Sequence, residues 1–126
     1  MIDVLLVDDH PVIRELLRQV LQVYPDLSIV AESVDGEDAV MQATRLRPAV
    51  AIVDIRMPTM NGIEATRRIR AQSPSTVVIG LTAGPPDEGD VEMISAGAST
   101  VIDKADVIWK LYPAIVNALN SVKTSA

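Results

Sequence analysis

The stretch LLVDDHP, residues 5–11, decides the fold. Three apolar residues run directly into two adjacent carboxylates, Asp8 and Asp9. The apolar run favours burial, whereas adjacent acids favour water, a cation or a proton. A buried strand that releases two acids at its end satisfies both demands. Beyond the acids, Val12, Ile13, Leu16, Leu17, Val20 and Leu21 recur at helical spacing. Pro11 stands just inside the start of that helix, where a missing N–H costs nothing.

The same unit recurs along the chain. SIVAE (28–32), AVAIV (49–53), VVIGL (77–81) and STVI (99–102) are short, apolar and mostly β-branched, like VLLV (4–7). They are continuous rather than alternating, which suits strands covered on both faces. The helical patterns GEDAVMQATRL, GIEATRRIR, DEGDVEMISAG and VIWKLYPAIVNALNSV follow them, and Gly97 is placed to terminate the fourth helix. Strict alternation predicts an α/β fold with a parallel sheet, helices on both faces and right-handed crossovers. Five strands favour the flavodoxin-like order 2-1-3-4-5, a doubly wound (βα)5 sheet. Pro113 conflicts with the last helical pattern because it removes a hydrogen bond there. Either the main helix starts near Leu111, with residues 106–110 as a separate turn, or the helix carries a kink.

With 126 residues the chain is one domain in size. Residues 1–120 form the expected domain, and 121–126 read as a tail or the start of a linker. The absence of Cys excludes disulfides and thiolate metal sites. No apolar run is long enough for a bilayer and no signal-peptide pattern is present, so a cytoplasmic protein without a membrane partner is expected. A net charge of −6 argues against direct nucleic-acid binding by this domain, since phosphate contact needs a basic surface. Arg67, Arg68 and Arg70 form the one dense basic cluster, read first as a solvated helix face and second as a docking surface. One Trp, two Tyr and no Phe leave no base-stacking platform.

In an open parallel sheet, ligands sit beyond the carboxyl ends of the strands. Those ends carry Asp8 and Asp9 on the first strand, Asp54 on the third, Thr82 on the fourth, and Asp103 and Lys104 on the fifth. Each has an ordinary reading. Asp8 or Asp9 caps the first helix, Asp54 begins a turn, Thr82 is a strand-end hydroxyl and Lys104 is a solvated lysine. Convergence favours a joint role. Three close carboxylates repel one another, and Mg²⁺, which takes oxygen ligands and keeps several waters, relieves that repulsion. One acid is then free to act as a nucleophile towards phosphorus. Phosphoryl transfer asks the protein mainly for positioning and charge neutralisation. Asp54, on the central strand, is the best-placed nucleophile, with Lys104 to neutralise charge and Thr82 to donate a hydrogen bond.

The ordered set VDDHP (7–11), DIRMPTMNG (54–62), LTA (81–83), AGAS (96–99) and Lys104 resembles the receiver domain of two-component response regulators. The DDHPVIRELLRQVL start and the NGIEATRRIR helix look most like receivers attached to LuxR-type helix-turn-helix output domains. The resemblance implies that Asp54 accepts a phosphoryl group from a sensor histidine kinase or a small phosphodonor. It implies that Asp9 ligates Mg²⁺ directly, Asp8 mainly through water, and that Asp54 and the backbone carbonyl of Arg56 complete the metal site. Thr82 and Lys104 bind the phosphoryl group, while Pro58 and Gly62 shape the loop after the third strand. It further implies a non-enzymatic switch, which catalyses at most its own phosphorylation and dephosphorylation. A homodimer through helix 4, strand 5 and helix 5, or through helices 1 and 5, is a candidate assembly.

The chain departs from the family pattern in its fifth strand. Gly97-Ala98-Ser99-Thr100-Val101 places Val101 where the family's switch aromatic stands and Thr100 where a second Gly is usual. Ala105 follows Lys104 in place of the common Pro, and Pro85-Pro86 stiffens the segment before the fourth helix. The alternative reading is therefore a receiver-like interaction module that switches without phosphate. An aspartyl-phosphate phosphatase needs a second acid in D-x-D, and Arg56 occupies that place. No G-x-G-x-x-G or GK[ST] loop supports nucleotide binding.

Overall fold

A computed structural model describes residues 1–125. The elements are β1 (Ile2–Val7), α1 (Pro11–Gln22), β2 (Leu27–Ser33), α2 (Gly36–Leu46), β3 (Val50–Asp54), α3 (Gly62–Gln72), β4 (Val77–Thr82), α4 (Glu88–Ser95), β5 (Ala98–Asp103) and α5 (Val107–Ser125), with a 3₁₀ turn at Lys104–Asp106. The five strands are parallel, in the order β2-β1-β3-β4-β5. The alternation and the strand order are those predicted from the sequence.

The continuous apolar strands are explained by two cores. Val4 and Leu6 of β1, with Val50 and Ile52 of β3, face Leu17 and Leu21 of α1 and Leu111 and Ile115 of α5. Leu5 and Val7, with Ala51 and Val53, face Ala39 and Ala43 of α2, Ile69 of α3 and Met93 of α4. Successive strand residues point to opposite faces, so a strand buried on both sides must be apolar at every position. At roughly 1.5–3 kcal/mol per buried large aliphatic side chain, these two layers dominate the stability of the domain.

Local signals set the helix ends. Asp35, Asn61 and Asp87 accept backbone N–H bonds at the starts of α2, α3 and α4, each satisfying an orphan donor of the first turn. Gly97 follows the C-cap of α4 with φ +123° and donates its N–H to the Ile94 carbonyl. The left-handed conformation admits glycine without steric cost.

Two local expectations are corrected and one open alternative is decided. Val12 is exposed rather than part of the apolar face of α1, because the second residue of the helix points away from the sheet. The N-cap of α1 is His10, not Asp8 or Asp9, and its side chain makes no cap bond. The last helix does not begin near Leu111. It begins at Val107 and carries Pro113 within it. Pro113 is exposed, so the Trp109 carbonyl deprived of its helical partner is left on the solvent side. Leu111 and Ile115 on the opposite face are fully buried and hold the helix to the sheet. Helix α5 continues to Ser125 and so enters the stretch 121–126, of which Ala126 lies outside the described residues.

The arginine cluster on α3 divides. Arg67 and Arg68 pair with Glu64 on an exposed face. Arg70 donates instead to the carbonyls of Pro74 and Thr76, satisfying backbone acceptors beyond the end of its own helix.

Candidate functional site

Register brings the strand tips level. Val7 pairs with Val53, so the residues that follow, Asp8 and Asp54, leave the sheet side by side. Asp54 pairs with Leu81 and Thr82 with Asp103. Thr82 and Lys104 therefore each lie one step beyond the neighbouring strand's last acid or its partner. Parallel pairing without a shift at these ends converts four separated sequence motifs into one site.

Lys104 links the acids. Its Nζ lies 2.9 Å from Asp8 Oδ2 and 3.3 Å from Asp54 Oδ2. Asp8 is fully buried, Asp54 is 3% exposed and Thr82 7%, whereas a quarter of the Asp9 side chain meets solvent. The second oxygen of Asp54 accepts the Arg56 N–H at 3.2 Å. The guanidinium of Arg56 points away, to Asp87 at the start of α4, 2.6 Å distant. Asp103 turns aside and accepts the Ala105 N–H, so only Lys104 of that pair reaches the site.

Burial pushes the Asp54 carboxyl up to about 6, and the charge of Asp8 adds to the rise. Lys104 and the Arg56 N–H oppose it. Burial alone would lower the Lys104 ammonium, yet its contact with Asp8 and the charge of Asp54 hold it above the ordinary lysine range. One lysine does not balance three carboxylates. Asp8 Oδ2 and Asp54 Oδ2 share the single Lys104 ammonium, and Asp9 Oδ1 faces only the His10 ring nitrogen at 3.2 Å. Buried carboxylates that outnumber their cation are costly, and a further cation relieves the excess negative charge. The donor set of hard oxygens fits a divalent ion of the Mg²⁺ type.

Two participants were not singled out by sequence reading. His10 brings its ring nitrogen into the acidic cluster with Asp8, Asp9 and Asp54, all four ligand atoms lying within 4.8 Å of one another. The available signal was its position, directly after two acids and as the one histidine of the chain. Arg14, one turn into α1, donates to the Asp8 carbonyl at 2.7 Å and fixes the acidic turn against the helix. Nothing in its spacing distinguishes it from a solvated arginine.

Gly62 shows how tightly the loop after β3 is closed. A Cβ there would stand 2.1 Å from the Asp54 carbonyl oxygen, and the Gly62 N–H donates to the Ile55 carbonyl at 2.7 Å. Only a residue without a side chain lets α3 start this close to the buried acid.

Comparison with known proteins agrees with this architecture. The model of the response regulator receiver domain matches residues 4–115. The chain is 36% identical over 114 residues to a protein-glutamate methylesterase/protein-glutamine glutaminase of Syntrophus aciditrophicus, covering 89% of this chain and 33% of that protein. It is 35% identical over 113 residues to the transcriptional regulatory protein LnrK of Bacillus subtilis, covering 87% and 51%. The solved response regulator domain of Thermotoga maritima CheB has a TM-score of 0.88 at 31% identity, covering 95% of this chain and 97% of that one. A LuxR-family two-component response regulator from Aurantimonas also gives 0.88, at 30% identity, covering 94% and 85%. The chain thus spans about a third to a half of the length of these curated relatives. With its sheet order, its level strand tips and its family match all in agreement, the chain belongs to the receiver domains of two-component response regulators.

Proposed function

We propose that Asp54 is the phosphoacceptor of this receiver and that a sensor histidine kinase is its phosphodonor. The observation that carries the reading is the position of Asp54, buried at the end of the central strand between Lys104 and the acidic turn. An Asp54 carboxylate oxygen attacks the phosphorus of a phosphohistidine. The new O–P bond gives an acyl phosphate, the N–P bond breaks, and its electron pair returns to the imidazole. Lys104 holds one phosphoryl oxygen by charge and Thr82 donates its hydroxyl to another, meeting the charge spread over the transferred group. Asp9 directly, Asp8 through water, Asp54 and the Arg56 carbonyl would hold Mg²⁺, which would supply the remaining neutralisation.

Phosphate on Asp54 adds charge and acceptor oxygens beside Lys104 and shifts an existing equilibrium at the face of α4, β5 and α5. Val91, Ile94, Ile108 and Trp109 are exposed on α4 and α5, offering apolar surface for a second copy or an output domain. The α1–α5 side is the other candidate dimer face. The output is a DNA-binding transcription regulator, a reading supported by the likeness to LnrK and to the LuxR-family structure. The acidic charge of the domain assigns DNA contact to another segment.

Incubation with Mg²⁺ and acetyl phosphate tests the reading by intact-mass spectrometry. A gain of one phosphoryl group is expected in the wild type and no gain in Asp54→Ala. An unchanged wild-type mass, or an equal gain in the variant, overturns it. A second reading, an interaction module that does not use phosphate, is favoured by Val101, a β-branched residue with few rotamers packed against the core. Sedimentation before and after phosphorylation separates the two, since the module would keep one assembly state throughout.

A further inference from the structure

A cavity of about 740 Å³ lies between the loop after β3 and the first turns of α4, within the ~300–1,000 Å³ of typical binding sites. Ile55, Met57, Pro58 and Ile63 make one wall apolar, and Glu88, Gly89 and Glu92 of α4 make the other. Asp87, at the edge, is already matched, because the Arg56 guanidinium meets it at 2.6 Å. Glu88 and Glu92 are not. Both are exposed, and neither carboxylate makes an ion pair or hydrogen bond among the described residues. They stand four residues apart on one helix and repel each other. Gly89 between them keeps the cavity open, since a Cβ there would meet Asp87 Oδ1 at 3.0 Å and Ile55 Cγ2 at 3.6 Å. Neither Val91 nor Ile94, the exposed apolar residues of α4, lines this cavity. It is therefore distinct from the face formed by α4, β5 and α5. None of Asp8, Asp9, Asp54 and Lys104 lines it either.

We propose that this cavity is a docking groove for a basic amphipathic helix of a partner protein. The helix seats an apolar side chain against Ile55, Met57 and Ile63 and pairs two Lys or Arg residues, four apart, with Glu88 and Glu92. Charge complementarity selects this occupant. Two unmatched carboxylates separated by about 6 Å along one helix fit two cations at the same separation along another. The apolar wall beside them suits a helix laid into a groove. The net charge of −6 adds a longer-range attraction for a basic segment. A second copy of this chain fits poorly, because its dense basic cluster is already engaged. Arg67 and Arg68 pair with Glu64, and Arg70 holds backbone carbonyls. Docking here needs no phosphoryl group on Asp54.

The probe is a capped, alanine-based helical peptide carrying a Leu pair and a Lys pair, each four residues apart. Titrated into the ¹⁵N-labelled, unphosphorylated chain, it should shift amide resonances of residues 55–63 and 88–92. Glu88→Gln with Glu92→Gln is expected to weaken binding about tenfold. Glu15→Gln with Glu37→Gln removes the same charge elsewhere and should change affinity by less than about twofold. Gly89→Leu fills the cavity without altering charge and should abolish binding. Leu is the better helix former, so this variant should unfold no earlier than the wild type, and the Gln variants decide the matter if it does. Three results overturn the proposal: no localised shifts, equal binding of a scrambled peptide of the same composition, or unchanged affinity in Gly89→Leu. Self-association in sedimentation that Gly89→Leu removes would make a second copy the occupant and overturn it too. Spermidine binding as tightly as the peptide would do the same, because the apolar wall would then play no part.

Discussion

Asp54 carries the chemical tension of the domain. In its proposed role Asp54 must be ionised, yet burial raises its carboxyl from 3.8 to about 6. A raised folded value means that the folded state binds the proton more tightly than the unfolded chain. Stability associated with Asp54 is full below about pH 4 and is lost as pH rises to about 6. Without added metal, Asp54→Asn removes this penalty. The variant is expected to be more stable than the wild type by about 2–3 kcal/mol at pH 7.5, with the gain gone by pH 4. Urea denaturation at the two pH values measures it, and a gain of equal size at both would exclude Asp54 titration as the cause. Thr59, by contrast, is a β-branched residue at φ +69°. It holds the turn between Asp54 and α3 in a conformation that costs a non-glycine residue about 1–2 kcal/mol.

At the scale of elements, α5 is the segment where propensity and packing disagree most. Pro113 lies in its second turn and deprives the Trp109 carbonyl of a partner. Burial of Leu111 and Ile115 against β4 and β5 outweighs that loss. Pro113→Ala restores the N–H and a better helix former. After allowance for the greater entropy of the unfolded chain, it should stabilise the domain by about 1–2 kcal/mol. The midpoint in urea checks this, and a destabilised variant would mean that the proline ring makes packing its exposure does not reveal. The fifth strand is the other element at issue. Gly80 pairs with Val101, and a Cβ at Gly80 would crowd Met93 at 3.0 Å and Val101 at 3.2 Å. Met93 of α4 thus settles onto β4 through the missing side chain. Met93 of α4 and Val101 of β5 pack in the same apolar cluster.

For the molecule as a whole, the site is a seam. Acids from β1 and β3 repel across it and Lys104 beyond β5 ties them together. A divalent ion bound only by the folded state stabilises the whole fold by mass action. At ten times its dissociation constant, Mg²⁺ should contribute about 1.4 kcal/mol and raise Tm by about 3–6 °C. Calorimetric scans with Mg²⁺ and with EDTA read this shift, and its persistence in Asp9→Asn would remove Asp9 from the metal site. No described helix is long and apolar enough to cross a membrane.

Much of this organisation is determined by the sequence alone. Continuous apolar runs between helical patterns require a parallel sheet covered on both faces, because alternating side chains of one strand enter opposite cores. The same runs end in Asp8, Asp54, Thr82 and Lys104, since polar residues at strand tips lie outside both cores. Tertiary structure decided what periodicity does not encode. It buried Asp8 and left Asp9 partly in water, turned His10 into the acids, carried α5 through Pro113 and exposed Val12. Burial of Asp8 and the path of α5 through Pro113 depend on contacts with residues distant in the chain. Their free energies exceed the local preferences of about 1 kcal/mol that a sequence displays on its own.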